Sequence, residues 1–385
     1  MPRSILQLFL VVLSLWAAPA QAQSGDPDTR AEALRRKREA KQQSLTPNEP
    51  DALQRGLDYV EDNALHILNR DGFYPKIGSL TTGSGFAIGG GYRNRDIFNR
   101  YGAAEVWAAG TFKKYWATQA RVVFPDLAAG RLAVEASANL REYPREAFFG
   151  LGPDSLRADM TEFSLRTQEL VGQAGVRVAP VLMVGGAVAS FAPEAAGLDL
   201  SYFRTTGFLQ VDYREPLNAR RGGLYRLDVS RFRDRDGAAW SFTRTDLDIR
   251  QYIGFLADRR VIALRAFAST SDAADGSNGV PFFLMPTLGG NDSLRGFRNY
   301  RFRGPHAMLL QAEYRWEVWS GLDAALFYDA GKVALERSQL NFKRLESDYG
   351  FGFRFNTAQG VIMRVDAAFG SRDGKHLHIV FGGVF

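Results

Sequence analysis

From Gly72 to the C-terminus, apolar and polar side chains alternate with a period of two residues. Glu313 and Arg315, for example, fall on the side opposite to Ala312 and Tyr314. A two-residue period is typical of β-strands, whose successive side chains point to opposite faces. Because opposite charges share one face, that face is expected to be wet, as in the lumen of a membrane-spanning barrel. The inner face of a soluble β-sandwich is apolar instead.

Counting back from the C-terminus gives about sixteen alternating segments, each near the ~10 residues that a tilted strand needs to cross a bilayer. We therefore predict an all-β fold, a transmembrane antiparallel β-barrel of about 16 strands over residues 72–385, with a short helical segment before it. An even number of strands places both termini in the periplasm. The predicted segment centres are Tyr74, Ile88, Val106, Ala120, Glu135, Leu165, Val184, Gly207, Leu227, Leu247, Leu264, Ala312, Leu326, Gly352, Arg364 and Phe381.

The connectors between these segments form two groups of different length. The short group, expected in the periplasm, includes 125–130, 255–259, 318–321 and 357–360. The long group, expected outside the cell, includes 142–162, 271–305 and 335–347. Short periplasmic turns and long external loops are the usual asymmetry of outer-membrane barrels.

The first 22 residues have the pattern of a secretory signal peptide. Arg3 provides a positive n-region, residues 5–16 form an apolar core, and Ala20-Gln21-Ala22 is a suitable cleavage signature. Cleavage is expected after Ala22, with cleavage after Ala20 as the alternative. An uncleaved anchor helix is disfavoured because the apolar run is too short to span a bilayer comfortably. The chain is therefore expected in the outer membrane of a Gram-negative-type cell.

Residues 23–71 are predicted to form a charged linker and an amphipathic helix. Apolar side chains recur at helical spacing within 50–69, and Asn48 or Asp51 is placed to cap that helix. The helix is expected to dock on the periplasmic mouth of the barrel, to plug its lumen or to lie on the membrane, and these alternatives stay open. Its apolar positions are Leu53, Leu57, Val60, Ala64 and Ile67.

Composition agrees with a barrel and argues against some partners. The chain has no cysteine, 45% hydrophobic and 12% aromatic residues, and 39 glycines. An exported chain without disulfides needs another source of stability, which the backbone hydrogen bonds of a closed barrel provide. The net charge of +6 comes mostly from arginines that alternate with acids, which argues against nucleic-acid binding. Arginines at the outer rim are expected to pair with phosphates of lipopolysaccharide, so outer-membrane lipids and lipopolysaccharide are expected partners.

The sequence shows no recognisable catalytic constellation. There is no cysteine for a thiol site and no G-x-S-x-G nucleophile motif, so no enzymatic activity is expected. His376 and His378 project to the same side of the last segment, as two metal ligands would. Because no third ligand is evident, they are predicted to be solvated histidines of the lumen, and neither a metal nor a cofactor is expected.

Two short motifs are specific in combination. Leu294-Arg295-Gly296-Phe297 lies in the longest connector, between segments 11 and 12, and Phe327-Tyr328-Asp329-Ala330-Gly331 lies in segment 13. The first resembles the Val-Arg-Gly-Phe/Tyr motif of the outer-membrane assembly-factor superfamily, which includes BamA, TamA and the two-partner secretion transporters (bacterial surface antigen barrels). The second resembles that superfamily's F-x-D-x-G signature. The resemblance covers residues 72–385 and extends to residues 148–152 and 83–92.

In that superfamily the motif loop folds back into the lumen, where its arginine meets acidic residues of strands 12 and 13. The resemblance therefore implies that Arg295 pairs with Asp329 and Glu313. By alternation both carboxylates fall on the lumen face, and a guanidinium can bond both through planar, charge-assisted contacts. Gly296 is expected to allow a tight turn and Phe297 to wedge against the wall. The alternative is a solvated loop arginine.

The last segment, 376–385, ends in an aromatic residue and resembles the C-terminal signal by which outer-membrane barrels are recognised for assembly. Phe381 and Phe385 would carry that signal. Gly382 and Gly383 are expected to weaken strand pairing there, because glycine strands lose entropy and side-chain contacts.

The resemblance implies two functional alternatives. In the first, a weakly closed seam between strands 1 and 16 opens laterally and helps a client protein or a lipid to enter the outer membrane or cross it. In the second, the protein is a passive channel or a structural protein whose lumen the loop plugs. Assembly factors carry periplasmic POTRA domains, and residues 23–71 are too short and too charged for even one. The chain therefore resembles the subgroup with the barrel alone.

Overall fold

The computed structural model describes residues 71–81, 83–99, 101–215, 219–319, 321–357, 360–370 and 373–381. Within these residues, sixteen long strands form one antiparallel sheet that curves into a barrel, which confirms the predicted fold class. The strands are β1 (Gly72–Gly78), β2 (Ala87–Ile97), β3 (Gly102–Thr111), β4 (Trp116–Asp126), β5 (Leu132–Phe148), β6 (Thr161–Ala179), β7 (Leu182–Ala195), β8 (Tyr202–Asp212), β9 (Gly222–Asp234), β10 (Phe242–Phe255), β11 (Arg260–Ala273), β12 (His306–Trp319), β13 (Leu322–Ala334), β14 (Glu346–Thr357), β15 (Gly360–Gly370) and β16 (Gly374–Phe381). All sixteen predicted centres lie in these strands, one in each.

Short elements complete the described part of the chain. Two-residue strands occur at Leu198–Asp199, Thr287–Leu288 and Phe302–Arg303, and helical turns occur at Arg157–Asp159, Phe282–Leu284 and Arg337–Gln339. Leu127–Gly130 is a turn in which Ala128 and Ala129 have left-handed backbone angles. Among the described residues, no helix has the length and apolar character needed to cross a bilayer.

Antiparallel ladders join each long strand to the next in chain order, from β1–β2 to β15–β16. Between the described residues of β1 and β16 there is no ladder, so the barrel is nearly closed. The place where β1 and β16 would meet is called the seam below.

Side chains alternate between the lumen and the outer surface, as the two-residue period predicts. On β13, Leu326 and Tyr328 are each 52% exposed on the outer surface, whereas Phe327 and Asp329 are buried on the lumen side. Lipid favours the apolar outer set, while water and paired charges suit the inner set. The strand pattern therefore determines which residues reach the lumen.

The predicted short and long connectors lie at opposite ends of the barrel, although both bounds of one predicted long connector are wrong. The connectors 127–131, 180–181 and 256–259 lie at the short-turn end, and 149–160, 274–305 and 335–345 lie at the long-loop end. The predicted connector 142–162 is shorter in the structure, where it covers 149–160, because β5 and β6 continue to pair as far as Phe148 and Thr161. The outward-facing pair Glu142 and Arg166 continues this ladder beyond the apolar part of the two strands.

Several predictions fall on residues that the structure does not describe. The signal peptide (1–22) and the charged linker with its helix (23–71, apart from Asp71) lie outside the described residues, as do Gly382, Gly383 and Phe385. Phe381 is the last residue of β16.

Candidate functional site

The candidate site is built around the connector between β11 and β12, residues 274–305, which is called the inward loop below. Two short strands of this loop pair with each other through Thr287–Arg303 and Leu288–Phe302. The hairpin that results carries the Leu294–Phe297 motif near its tip. The backbone N–H of Gly290 donates to the carbonyl oxygens of Leu294 and Phe297, 3.2 Å to each, and so closes the tip.

Arg295 lies inside the barrel with no exposed side-chain surface and contacts the two predicted carboxylates. Its Nε and Nη2 donate to Asp329 of β13 at 2.7 and 2.8 Å, and its Nη1 donates to Glu313 of β12 at 2.9 Å. Its guanidinium carbon also stacks 3.5 Å from the ring centroid of Phe327. Burial disfavours the charged guanidinium, but the Asp329 and Glu313 carboxylates outweigh that, so the pKa of Arg295 is raised above its ordinary value.

The ion network extends beyond the residues that the motifs identify. Arg354 of β14 donates to Glu313 at 2.6 Å and to Asp366 of β15 at 2.5 Å, and Asp366 lies 3.5 Å from Arg295. Arg315 adds a third arginine to Glu313, at 2.7 Å. Motif comparison did not single out Arg354 or Asp366 as site residues. The alternating pattern could have identified both residues, because it places them on the lumen side of their strands.

Asp329 and Glu313 differ in how much they depend on Arg295. Glu313 accepts hydrogen bonds from Arg295, Arg315 and Arg354. Asp329 accepts hydrogen bonds from Arg295 and from the Gln311 side chain, at 3.1 Å. A buried carboxylate needs charge or hydrogen-bond compensation, so Asp329 is the group that relies most on the loop arginine.

Two glycines of the motifs allow close approach of backbones. A Cβ on Gly296 would lie 2.4 Å from the Cβ of Asp348 and 2.6 Å from the amide nitrogen of Gly370. Gly296 is thus required by the close contact with β14 and the end of β15, rather than by the tight turn that the sequence suggested. A Cβ on Gly331 would lie 2.7 Å from the carbonyl oxygen of Met308 and 3.1 Å from Leu288 of the loop.

An apolar cluster holds the same hairpin against the wall. Leu294 and Phe297 have no exposed surface, and the rings of Phe297 and Phe302 lie 5.3 Å apart at 62°. The cluster joins loop residues to the lumen sides of β12 and β13. Its buried members are Leu288, Leu294, Phe297, Phe302, Ala307, Leu309 and Val333.

A second apolar cluster anchors the first part of the inward loop at the long-loop end of the barrel. Val280 and Phe283 pack there against the buried rings of Tyr202, Phe232 and Phe242 from β8, β9 and β10. The loop is therefore fixed at two places, near the rim by apolar contacts and deeper in the lumen by Arg295.

The glycine-containing segments in two other loops also contact the inward loop. In residues 148–152, the Gly152 N–H donates to the Arg303 carbonyl at 2.8 Å, and the Phe149 ring lies 5.2 Å from the guanidinium carbon of Arg301. At the start of residues 83–92, a Cβ on Gly83 would lie 2.7 Å from the Asn299 side chain. These segments, noted in the sequence for their resemblance alone, meet at the inward loop.

The last strand also reaches the loop. Nε2 of His378 lies 2.7 Å from the carbonyl oxygen of Arg295, which makes a hydrogen bond between β16 and the motif. The rings of His376 and His378 stack with centroids 6.1 Å apart. Across the described residues, no group of three or more His, Cys, Asp or Glu is placed to hold a metal ion. His378 therefore contacts the motif backbone, a contact that the sequence did not predict.

Comparison with known proteins agrees with this arrangement. Residues 212–383, from the end of β8 through β16, match the Omp85 superfamily domain. Over these residues the barrel is of the Omp85 type. A barrel of this type implies an outer-membrane location, which the sequence also predicted. No curated protein matches the chain significantly.

Solved structures share the fold of this Omp85-type barrel at low sequence identity. BamA from Haemophilus ducreyi lacking POTRA domains 1–3 has a TM-score of 0.63 and 12% identity, over 82% of this chain and 71% of that one. CdiB from Acinetobacter baumannii has a TM-score of 0.51 and 13% identity, over 80% and 59% of the two chains. CdiB from Escherichia coli has a TM-score of 0.56 and 14% identity, over 79% and 61%. The chain thus spans about three fifths of the length of the CdiB chains.

Proposed function

We propose that this Omp85-type barrel assists the insertion or translocation of proteins, or of lipids, at the outer membrane. The observation that carries the proposal is that Arg295 ties β12 and β13 to β16 through the inward loop, and β16 borders the seam, where the described residues of β1 and β16 form no ladder. A barrel that opens at one seam needs the wall next to it to stay rigid. Buried, charge-assisted hydrogen bonds provide such rigidity because they hold planar groups in fixed geometry.

The proposal includes an organisation of the whole chain. Residues 1–22 are a signal peptide, 23–71 a linker with an amphipathic helix, and 72–385 the barrel. Both termini and the short connectors face the periplasm, and the long connectors face outward. The partners are client outer-membrane or secreted proteins, together with outer-membrane lipids and lipopolysaccharide. The aromatic C-terminus, with Phe381 and Phe385, serves as the assembly signal.

The alternative function is a passive channel or a structural membrane protein with a plugged lumen. The observation that favours it is the double anchoring of the inward loop, through Phe283 near the rim and Arg295 deeper inside. A loop held at two depths obstructs a lumen whether or not the seam ever opens.

The test is a folding assay with residues 23–385 in liposomes and an unfolded small outer-membrane barrel as client. Client folding is followed by the gel shift that folded barrels lose on heating, with empty liposomes as the reference. The chain has no native cysteine, so pairs of cysteines can lock chosen strands. Seam locks are scanned between Ile77 of β1 and Leu377 or Ile379 of β16. The control lock is Tyr92→Cys with Val106→Cys, which face each other across β2 and β3.

We expect the protein to accelerate client folding, the oxidised seam lock to abolish that acceleration, and reduction to restore it. The control lock should leave the rate unchanged. Acceleration that persists with the seam locked would show that the seam is not the route. No acceleration, with steady ion conductance in the same liposomes, would favour the channel.

A further inference from the structure

Three arginines form a row on the outer surface of the barrel at the long-loop end of β9. Arg231, Arg233 and Arg235 are exposed and alternate with buried Phe232 and Asp234. Alternate residues of a strand lie about 6.6–6.8 Å apart along it, so three cations stand on one face within the length of two such steps. This set is called the arginine row below.

The row stands where the apolar outer surface ends. On the same face of β9, Leu227 and Val229 precede Arg231 and are 37% and 45% exposed, as expected for side chains in contact with lipid tails. Arg235 lies just beyond the strand, at the start of the connector to β10. The three guanidinium groups therefore lie between the apolar band and the loop tip, at the level of lipid headgroups.

The row differs from lumen arginines in its partners. On the other face of β9, Arg226 pairs with Asp228 at 2.7 Å, and Arg204 of β8 pairs with Glu169 at 2.8 Å. Within the part of the chain that the structure describes, no carboxylate pairs with any of the three arginines of the row. Like charges held in a row repel one another unless an anion lies between them.

Two carboxylates adjoin the row in sequence: Asp236 is exposed in the loop and pairs with none of the three arginines in the described part of the chain, and Asp234 is turned away from the row. Asp234 is buried, and its two oxygens accept hydrogen bonds from the backbone N–H groups of Asp236 at 3.0 Å and Trp240 at 3.1 Å. It therefore closes the loop after β9 and cannot neutralise the exposed arginines. The anion that neutralises the arginine row must therefore come from another molecule rather than from the described carboxylates of this chain.

The neighbours of the row suit a phosphorylated, sugar-bearing headgroup. Thr205 of β8 and Thr243 of β10 lie directly opposite Arg231 on either side, and their hydroxyl groups can donate or accept hydrogen bonds. Phe203 lies opposite Arg233, with the guanidinium carbon of Arg235 5.6 Å from its ring centroid. The Phe203 ring holds the Arg235 guanidinium in place, and the threonine hydroxyls extend the polar surface onto the two neighbouring strands.

We propose that the arginine row binds the phosphate groups of lipopolysaccharide in the outer leaflet, with the acyl chains of that lipid against Leu227 and Val229. Arginine matches phosphate oxygens through paired, charge-assisted hydrogen bonds. The proposal rests on the orientation given under Proposed function, in which the long loops face outward. It does not depend on insertion or translocation activity.

The test measures binding of lipid A by native mass spectrometry of the purified protein in detergent. The probes are lipid A with two phosphates, the same lipid without phosphates, and inorganic phosphate as competitor. The test variant is Arg231→Gln/Arg233→Gln/Arg235→Gln. The control, Lys113→Gln/Lys114→Gln/Lys343→Gln, removes the same charge from exposed positions in two other loops at the same end. Gel mobility before and after heating verifies that each variant is folded.

We expect the row variant to bind phosphorylated lipid A at least about tenfold more weakly, and the control variant to change by less than about twofold. Lysine at all three row positions should give an intermediate affinity, because charge is retained and paired geometry is lost. Equal losses in the row and control variants would overturn the proposal. So would equal binding of the lipid without phosphates, or full displacement by an equal concentration of inorganic phosphate.

The outcome is separable from that of the proposed function. In phosphatidylcholine liposomes without lipopolysaccharide, the row variant should accelerate client folding as the unmodified protein does. No acceleration of client folding by either protein, with lipid A binding by the unmodified protein lost only in the row variant, would refute the proposed function and support the arginine row as a binding site.

Discussion

Two walls of the same lumen hold charged side chains in very different surroundings. On β12–β15, the side chains of Glu313, Arg354 and Asp366 have no exposed surface, because the inward loop covers them. On the wall formed by β4 and β5, Arg121 and Glu135 pair at 2.8 Å but remain 40% and 31% exposed. Both walls have the same alternating pattern, so the difference comes from the loop. Strand alternation decides which charges face inward, and the loop decides which of them lose contact with water.

The largest expected effect comes from removing the cation that the loop contributes. Arg295→Ala should lower the free energy of unfolding by about 3–5 kcal/mol, because Asp329 stays buried with no cation and keeps only neutral donors, the Gln311 amide and the backbone N–H of residue 295. Glu313 is less affected, since it keeps Arg315 and Arg354. The measurement is urea unfolding in liposomes, followed by tryptophan fluorescence. The stability of Arg295→Lys should fall between that of Arg295→Ala and that of the unmodified protein. An Arg295→Ala protein as stable as the unmodified one would contradict the buried network.

A smaller effect is expected from Gly296→Ala, because the added methyl group would overlap Asp348 and Gly370. Displacing the loop to relieve this contact should cost about 1–3 kcal/mol and expose Arg298 and Arg301 to trypsin. The matched control is Gly207→Ala on β8, where a Cβ would meet no atom within 4 Å. Equal trypsin sensitivity of the two variants would show that the loop is not closely packed at Gly296.

The contact between β16 and the loop should have a smaller effect again. His378→Ala removes the hydrogen bond to the Arg295 carbonyl and should cost about 0.5–1.5 kcal/mol. His376→Ala is the control, because the Nε2 atom of His376 has no hydrogen-bond partner in the described part of the chain. Should the two variants unfold at the same urea concentration, the link between β16 and the motif would carry no stability.

The smallest effect is expected on the exposed wall. A double-mutant cycle of Arg121→Gln and Glu135→Gln should give a coupling free energy of about 0–1 kcal/mol, because the pair is exposed to water. That coupling should shrink further at high salt. A coupling as large as the effect of Arg295→Ala would remove the distinction between the two walls.

Much of the barrel follows from the sequence alone, because period-two alternation is a local property. It placed all sixteen strand centres and assigned Glu313, Phe327 and Asp329 to the lumen. The ends of β5 and β6 were harder to predict from the sequence. These strands continue past the apolar band, where hydrophobicity no longer marks them. Local pattern therefore predicts the faces of strands better than their length.

The site could be predicted only in part from the sequence, for a different reason. The motif resemblance implied the contacts of Arg295 with Glu313 and Asp329, which the structure also contains. The roles of Arg354, Asp366 and His378 depend on how far the loop enters and which strands it reaches. Those are distances between segments that are remote in sequence, and no local pattern records them.

The contacts of the inward loop also imply an order of events during folding. The ion pair of Arg303 with Glu146 joins residues 157 positions apart, and the hydrogen bond between Thr81 and Tyr300 joins residues 219 positions apart. Contacts between such distant residues form slowly, because closing a long chain segment costs entropy before the contact can compensate for it. The inward loop is therefore expected to dock last, after the hairpins β1–β2 and β5–β6 are in place. Until then Arg301 and Arg303 stay open to proteases, and their protection would mark the moment at which the barrel matures.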